Sequence, residues 1–294
     1  MNFLDTFKDM GLEQVGTNSF HYEDQYSHVL FEKLKTCDSD RPIPALSVWT
    51  KGPTAENYLF QGIVSMVYNF IGNNIANNRI RESVSEIKIP IFREYTILNS
   101  PKYTFMQSDI LIQNANNIPE IGDVYPHVTV RNSYNGRSGV EISFGISFLH
   151  SENIRHSLSF RQKMVSFKQV HSQYSKTKLI SAVGNYVNVV SLNILDLIKE
   201  NFETIISDDT LLSTLDMVEK LGQRRRENIS DIITTITKDK PFVTCWDLFL
   251  AITKFSTIEK NLNARVLLED IVERTLVIPV KMMKMMDEIN KDSK

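Results

Sequence analysis

The stretch YPHVTVRNSYNGRSGVEISFGISFLH, residues 125–150, holds two alternating runs joined by a turn. Val128 and Val130 alternate with His127, Thr129 and Arg131. Past the turn, Val140, Ile142, Phe144, Ile146 and Phe148 share one side, and Glu141, Ser143, Gly145 and Ser147 share the other. Successive side chains of a strand point to opposite faces, so a period of two predicts two paired strands. Between them, Asn135-Gly136 predicts a type I′ turn, which needs positive φ at both central residues. An antiparallel hairpin therefore anchors an α+β reading, with a sheet in the N-terminal half and helices in the C-terminal half.

Upstream of the hairpin, Tyr103, Phe105, Ile110 and Ile112 predict further strands. From Arg79 the apolar positions Ile80, Val84, Ile87 and Ile89 are also read as strand. Before them, Thr54 is placed as the N-cap of a helix running to Ile71. Leu59, Ile63, Met66, Val67 and Phe70 recur there at helical spacing, and the tract NNIANN (Asn73–Asn78) ends it. Residues 3–10 and 26–35 are expected as short helices, with Pro42 and Pro44 marking an extended link. Downstream, residues 159–170 are expected to add a strand. From Lys178, Leu179, Val183, Tyr186, Val190, Ile194 and Ile198 then form one apolar helical stripe. Asp208 or Asp209, and later Thr244, are predicted helix caps. A last helix carrying Val266, Leu267, Ile271 and Val272 stops at Pro279, and an amphipathic, Met-rich tail follows. The organisation expected is a mainly β domain over 1–175 and a helical domain over 176–294.

Length and composition suit a folded protein: 294 residues, 42% hydrophobic and 23% charged. A net charge of −2 supplies no global field toward DNA or an anionic membrane. No signal-like leader is read at the start, and no apolar run reaches the roughly 20 residues that span a bilayer. Cys37 and Cys245 stand far apart in no metal-ligand spacing, as suits a reducing compartment. The expectation is a protein of the host cytoplasm with no membrane partner.

Tests for chemistry yield candidates rather than a centre. The six histidines form no compact ligand set in the sequence, so neither metal nor cofactor is expected. Nucleotide-binding glycine loops and the Gly-x-Ser-x-Gly elbow are missing. Asp109 and Glu141 lie on expected strands and could approach each other, but a lone pair of this kind reads far more readily as solvated polar positions. The run Gly222–Asn228 carries Arg224, Arg225 and Arg226, which fit either a phosphate or acidic-partner clamp or a solvated turn. Arg155 and His156, in the polar segment after the hairpin, carry the same two readings. Asn132, Tyr134, Asn135 and Arg137 crowd the hairpin tip and suggest a recognition loop, although tight turns favour such residues anyway. No catalytic residues are assigned, and an enzyme is not expected.

The block from Val128 to Leu149 resembles a phage/plasmid-like family whose members carry a hairpin of the form valine-x-x-asparagine-serine-aromatic/His-Asp/Asn-glycine. Asn132, Ser133, Asn135, Gly136 and Ser138 match that turn, Gly145 matches a glycine of the following strand, and Arg155-His156 matches a later pair. The segment Thr244–Phe255 is similar to that family's C-terminal helix through Trp246, Ala251 and Thr253. Family members often have a Cys-x-Asn element after the second strand; here Leu149-His150-Ser151 stands in its place. The resemblance implies a mobile-element origin. Together with the missing catalytic set and near-neutral charge, it leads to a phage accessory protein that inhibits a host anti-phage defence complex, of the kind that sequesters the Gabija nuclease. Exposed aromatic surface around Tyr58–Tyr68 would serve such contacts, and a homo-oligomer is expected. The alternative is a nucleic-acid-binding or recombination accessory protein using Arg155, Arg161, Lys163, Lys168 and Arg224–Arg226.

Overall fold

The computed structural model describes residues 13–15, 19–35, 41–65, 70–99, 105–113, 116–118, 122–134, 140–151, 154–160, 166–169 and 176–285. The expected helix over 3–10 and the Asn135-Gly136 turn lie outside these residues. The fold is α+β.

Five strands form an antiparallel meander in chain order: β1 (Glu13–Val15), β2 (Ser19–Glu23), β3 (His28–Lys35), β4 (Pro42–Lys51) and β5 (Leu59–Ser65). A second sheet holds β6 (Ile91–Leu98), β7 (Phe105–Ile112), β8 (Asn116–Ile118), β9 (Gly122–Ser133), β10 (Val140–Ser151), β11 (Ile154–Phe160) and β12 (Ser166–Gln169). Its order is β11-β10-β9-β7-β6, with β12 also on β10 and β8 on β9. The β9–β10 pairing has the register that the alternation requires. Val130 faces Ile142 and Val128 faces Phe144, while Arg131 faces Glu141.

Helices follow: α1 (Asn73–Glu86), α2 (Lys176–Glu203), α3 (Asp208–Glu219), α4 (Gln223–Ile236), α5 (Cys245–Ile258) and α6 (Leu262–Thr275). Thr244 caps α5 in a full capping box with Asp247. Ser207, not Asp208 or Asp209, caps α3; the two aspartates occupy its first turn, where negative charge suits the exposed N–H groups.

Three local expectations are corrected. Residues 28–35 are strand β3, where Val29 and Phe31 are buried and Leu30 and Glu32 are only half-buried, a period of two that pairing on both sides imposes. Residues 59–65 are strand β5 rather than part of a helix from Thr54. The asparagine tract begins a helix instead of ending one, and Arg79–Glu86 belongs to α1 rather than to a strand. Ala76, Ile80 and Val84, four residues apart, make its buried face.

The main core joins the second sheet to the helices. Phe144 stacks on Tyr186 of α2 with ring centroids 4.3 Å apart, and the Tyr186 hydroxyl donates to the Gly145 carbonyl at 2.6 Å. Phe148 meets Trp246 and Phe249 of α5 at 5.2 and 5.5 Å. One hydrophobic cluster thus runs from Tyr26 to Met282, joining residues on both sides of position 175. The first sheet has its own cluster: Phe20, Tyr22, Val29, Phe31, Leu46, Val48 and Val64, closed by Phe70 and Tyr134.

The two sheets meet at the start of α1. Asp24 accepts from the Tyr22 hydroxyl (2.7 Å), from the Tyr26 and Ser27 amides (2.8 and 3.0 Å) and from the Asn74 amide (3.1 Å). One carboxylate therefore closes the β2–β3 turn and satisfies a first-turn donor of the helix. The Tyr134 hydroxyl accepts from the Asn73 amide at 2.9 Å. Backbone comes very close here, for a Cβ on Gly72 would lie 2.0 Å from the Tyr22 hydroxyl.

Candidate functional site

The hairpin-tip candidates divide. Asn132 and Tyr134 are fully buried, so they are corrected from recognition residues to internal ties. Asn132 donates through Nδ2 to the Ile71 carbonyl (2.8 Å) and Asn73 Oδ1 (3.0 Å), and Tyr134 packs on Phe70 with centroids 5.2 Å apart. A side chain at the end of a long strand reached the neighbouring sheet instead of solvent. Asn135 and Arg137 lie outside the described residues, as do Arg161 and Lys163. Arg155 and His156 sit on β11, in register with Leu149 and Phe148 of β10.

The basic run begins α4. Arg224 is exposed. Arg225 donates through Nε to Glu259 at 2.7 Å and also binds the Leu221 carbonyl, while Arg226 pairs with Glu219 and, at 3.5 Å, with Asp216. Two of the three guanidiniums are therefore engaged within the chain, bridging α4 to the neighbouring helices. Burial raises the Glu259 carboxyl's pKa, but hydrogen bonds from Arg225 and the Asn261 amide outweigh it and hold the group below its ordinary value. A carboxyl lowered in the folded state stabilises the fold fully above its ordinary pKa of about 4.3 and loses that contribution as pH falls through the lowered value. Glu259→Gln is accordingly expected to melt lower than wild type at pH 7, with the gap closing on acidification below about pH 4. Thermal melts of both proteins from neutral to acid pH check this; a gap that widens in acid would contradict it.

Asp109 and Glu141 do not converge. They lie on β7 and β10, on either side of β9, opposite Thr129 and Arg131 respectively. Asp109 Oδ1 accepts from Thr129 at 2.7 Å and from Gln107 at 3.3 Å. Arg131, 2% exposed, donates to Gln107 (3.1 Å), to Ser143 (3.2 Å) and to Glu269 of α6 (2.7 Å), and Glu269 also receives Arg265 at 3.3 Å. The polar side of the hairpin alternation is thus an internal ionic row, sealed from substrate, that locks the sheet to α6.

The accessible chemistry lies on the first sheet. With the core face turned inward, its other face carries His21, Leu30 and Trp49 in one cross-strand line ending at Phe60. Phe60 and Ile63 are 53% and 60% exposed and Leu59 is 40% exposed, although β5 is the outermost strand of its sheet. Among the described residues no strand pairs with its free side. Trp49 supports Phe60 edge-on at 5.1 Å. A bulge at Gln61, where Gly62 has φ 154°, kinks the strand, so contact here rests on side chains more than on a long ladder.

At the other end of this face, His21, Glu23 and His28 bring one ligand atom each within 4.8 Å of one another. This corrects the expectation that the histidines form no compact set. The signal was present as His-x-Glu followed by a histidine across a short turn, but it becomes visible only once β2 and β3 are known to pair. Tyr58 adds a hydroxyl 2.9 Å from His21 Nε2. Burial and then Glu23 push that hydroxyl above its ordinary pKa, so it stays protonated at neutral pH. No helix among the described residues is long and apolar enough to cross a membrane.

Comparison with protein-family models, curated proteins and solved structures finds no match for this chain.

Proposed function

We propose that this chain is a phage accessory protein that binds and blocks a host anti-phage defence complex by protein–protein contact in the host cytoplasm, without catalysis, and that it acts as a homo-oligomer. The observation that carries the reading is the apolar patch of Trp49, Phe60 and Ile63 on the outermost strand of the first sheet. Contiguous exposed apolar side chains on a sheet edge are what soluble proteins ordinarily avoid, and aromatic anchors dominate the energy of protein interfaces. Burial of the only acids that were candidates for catalysis is in keeping with a binding role. The nucleic-acid alternative receives less support, since Arg225 and Arg226 spend their charge on Glu259, Glu219 and Asp216.

The test is capture from infected cells followed by mass spectrometry, with the double variant Phe60→Lys/Ile63→Lys run beside wild type. Wild type is expected to retain a defined host complex, and the variant to lose it by roughly 30-fold or more in affinity, as for hot-spot residues worth about 2 kcal/mol or more. Both side chains are exposed, so the variant should unfold within about 0.5 kcal/mol of wild type. Recovery of nucleic acid alone, or an undiminished complex with the variant, would reject the reading.

A further inference from the structure

We propose that the outer face of the first sheet holds a divalent-cation site of the zinc class, with His21, Glu23 and His28 as its protein ligands. Period two places His21 and Glu23 on the same side of β2, and the strand register sets His28 of β3 directly opposite Glu23. The convergence therefore follows from pairing alone and needs no special loop. His28 Nε2 lies 3.1 Å from Glu23 Oε1, and the two imidazole centroids are 6.0 Å apart with planes at 68°.

These separations fit the ion's demands. Zinc takes histidine nitrogen at about 2.0–2.1 Å and carboxylate oxygen at about 2.0–2.2 Å, which puts tetrahedral ligand atoms about 3.4 Å apart. The three ligand atoms already lie within 4.8 Å of one another, and closing them to that spacing is a small side-chain adjustment, most of it available to the Glu23 carboxylate, which is 59% exposed. The ligand types suit zinc, which is commonly held by imidazole and carboxylate. Three protein ligands leave a fourth position open, as in sites where zinc binds water or an incoming group. Tyr58, hydrogen-bonded to one ring nitrogen of His21, orients that ring, the part that outer groups play around metal-bound histidines. Lys51 opposes the ion. It stands opposite His28 in register, and its ammonium lies 4.9 Å from the Tyr58 ring centroid. The site stands whether or not a partner covers the neighbouring apolar patch.

Titration of the chelator-treated 294-residue protein with zinc chloride by calorimetry tests the site, with cobalt(II) substitution and visible spectroscopy as a second measurement. One equivalent of zinc is expected to bind. His21→Ala and His28→Ala should each weaken binding at least tenfold, Lys51→Met should tighten it, and His171→Ala should leave it unchanged. Cobalt should give the absorption of a four-coordinate nitrogen and oxygen site, lost in the double variant His21→Ala/His28→Ala. The altered side chains lie on the outer face, so circular dichroism of each variant should match wild type; any variant that loses its fold is judged by the cobalt spectrum of Glu23→Gln instead. Absence of stoichiometric binding to wild type, or binding that survives the double variant, overturns the proposal.

Discussion

Glu269→Ala is expected to lower the unfolding free energy by about 3–5 kcal/mol, the usual cost of removing one partner from a buried ion pair. The carboxylate is 1% exposed and receives both Arg131 and Arg265, themselves 2% exposed. Removing it leaves two guanidiniums away from water. Arg131 retains Gln107, Ser143 and a longer contact to Glu141 at 3.8 Å, but none of these supplies the lost charge at 2.7 Å. The attraction within the row need not exceed the cost of burying it; what the variant exposes is the uncompensated remainder. Urea unfolding gives the measurement, with an unchanged denaturant slope showing that stability rather than compactness has moved. An exposed control, Glu227→Ala, should stay within about 0.5 kcal/mol. A loss below about 1 kcal/mol for Glu269→Ala would mean that the row is wetter and less committed than its burial implies.

Tyr134→Ala should cost a similar amount, about 3–5 kcal/mol, because it removes the ring that, among the described residues, carries the end of β9 into the core of the first sheet. The ring is fully buried against Phe70, and its hydroxyl accepts the Asn73 amide. Tyr134→Phe separates the two contributions. It keeps the ring and leaves a buried helix-start donor unpaired, for a loss of about 1–3 kcal/mol. Hydrogen exchange distinguishes this from a general weakening: protection should fall first in the opening turn of α1, at Asn73 and its neighbours. Equal loss of protection across both sheets in Tyr134→Phe would show that the hydroxyl does not act locally.

How far the sequence could be read follows from which features are local. The β9–β10 pair was legible because its alternation is strict over many residues, and the α5 start because Thr244 and Asp247 form a short-range capping box. Strand β5 was not, since Leu59, Ile63 and Phe70 fit a helix as well as a strand, and only β4 decides between them. Helix α1 was missed because its asparagines look like a stop. Asn73 and Asn77 are instead buried and bonded, Asn77 to the Tyr26 hydroxyl and to Glu94, partners far along the chain. The polar side of the hairpin looked like a solvated face. It is covered by α6, whose Glu269 lies 138 residues from Arg131, a separation that no periodicity reports. The candidate site was half legible: the aromatic stretch from Tyr58 could be picked out, whereas the grouping of His21, Glu23 and His28 needed the register of β2 on β3.

The shared core has a consequence for how the protein is made. Phe148 leaves the ribosome well before the α5 rings that meet it, since Trp246 and Phe249 lie 98 and 101 positions further along. At about 5–20 residues per second, synthesis of that stretch takes roughly 5–20 seconds. Until then Phe148 lacks these partners, although Tyr186 of α2, made earlier, can already stack on Phe144. Slower translation across α2–α5 is accordingly expected to prolong the exposure of this strand and to raise the demand for chaperones.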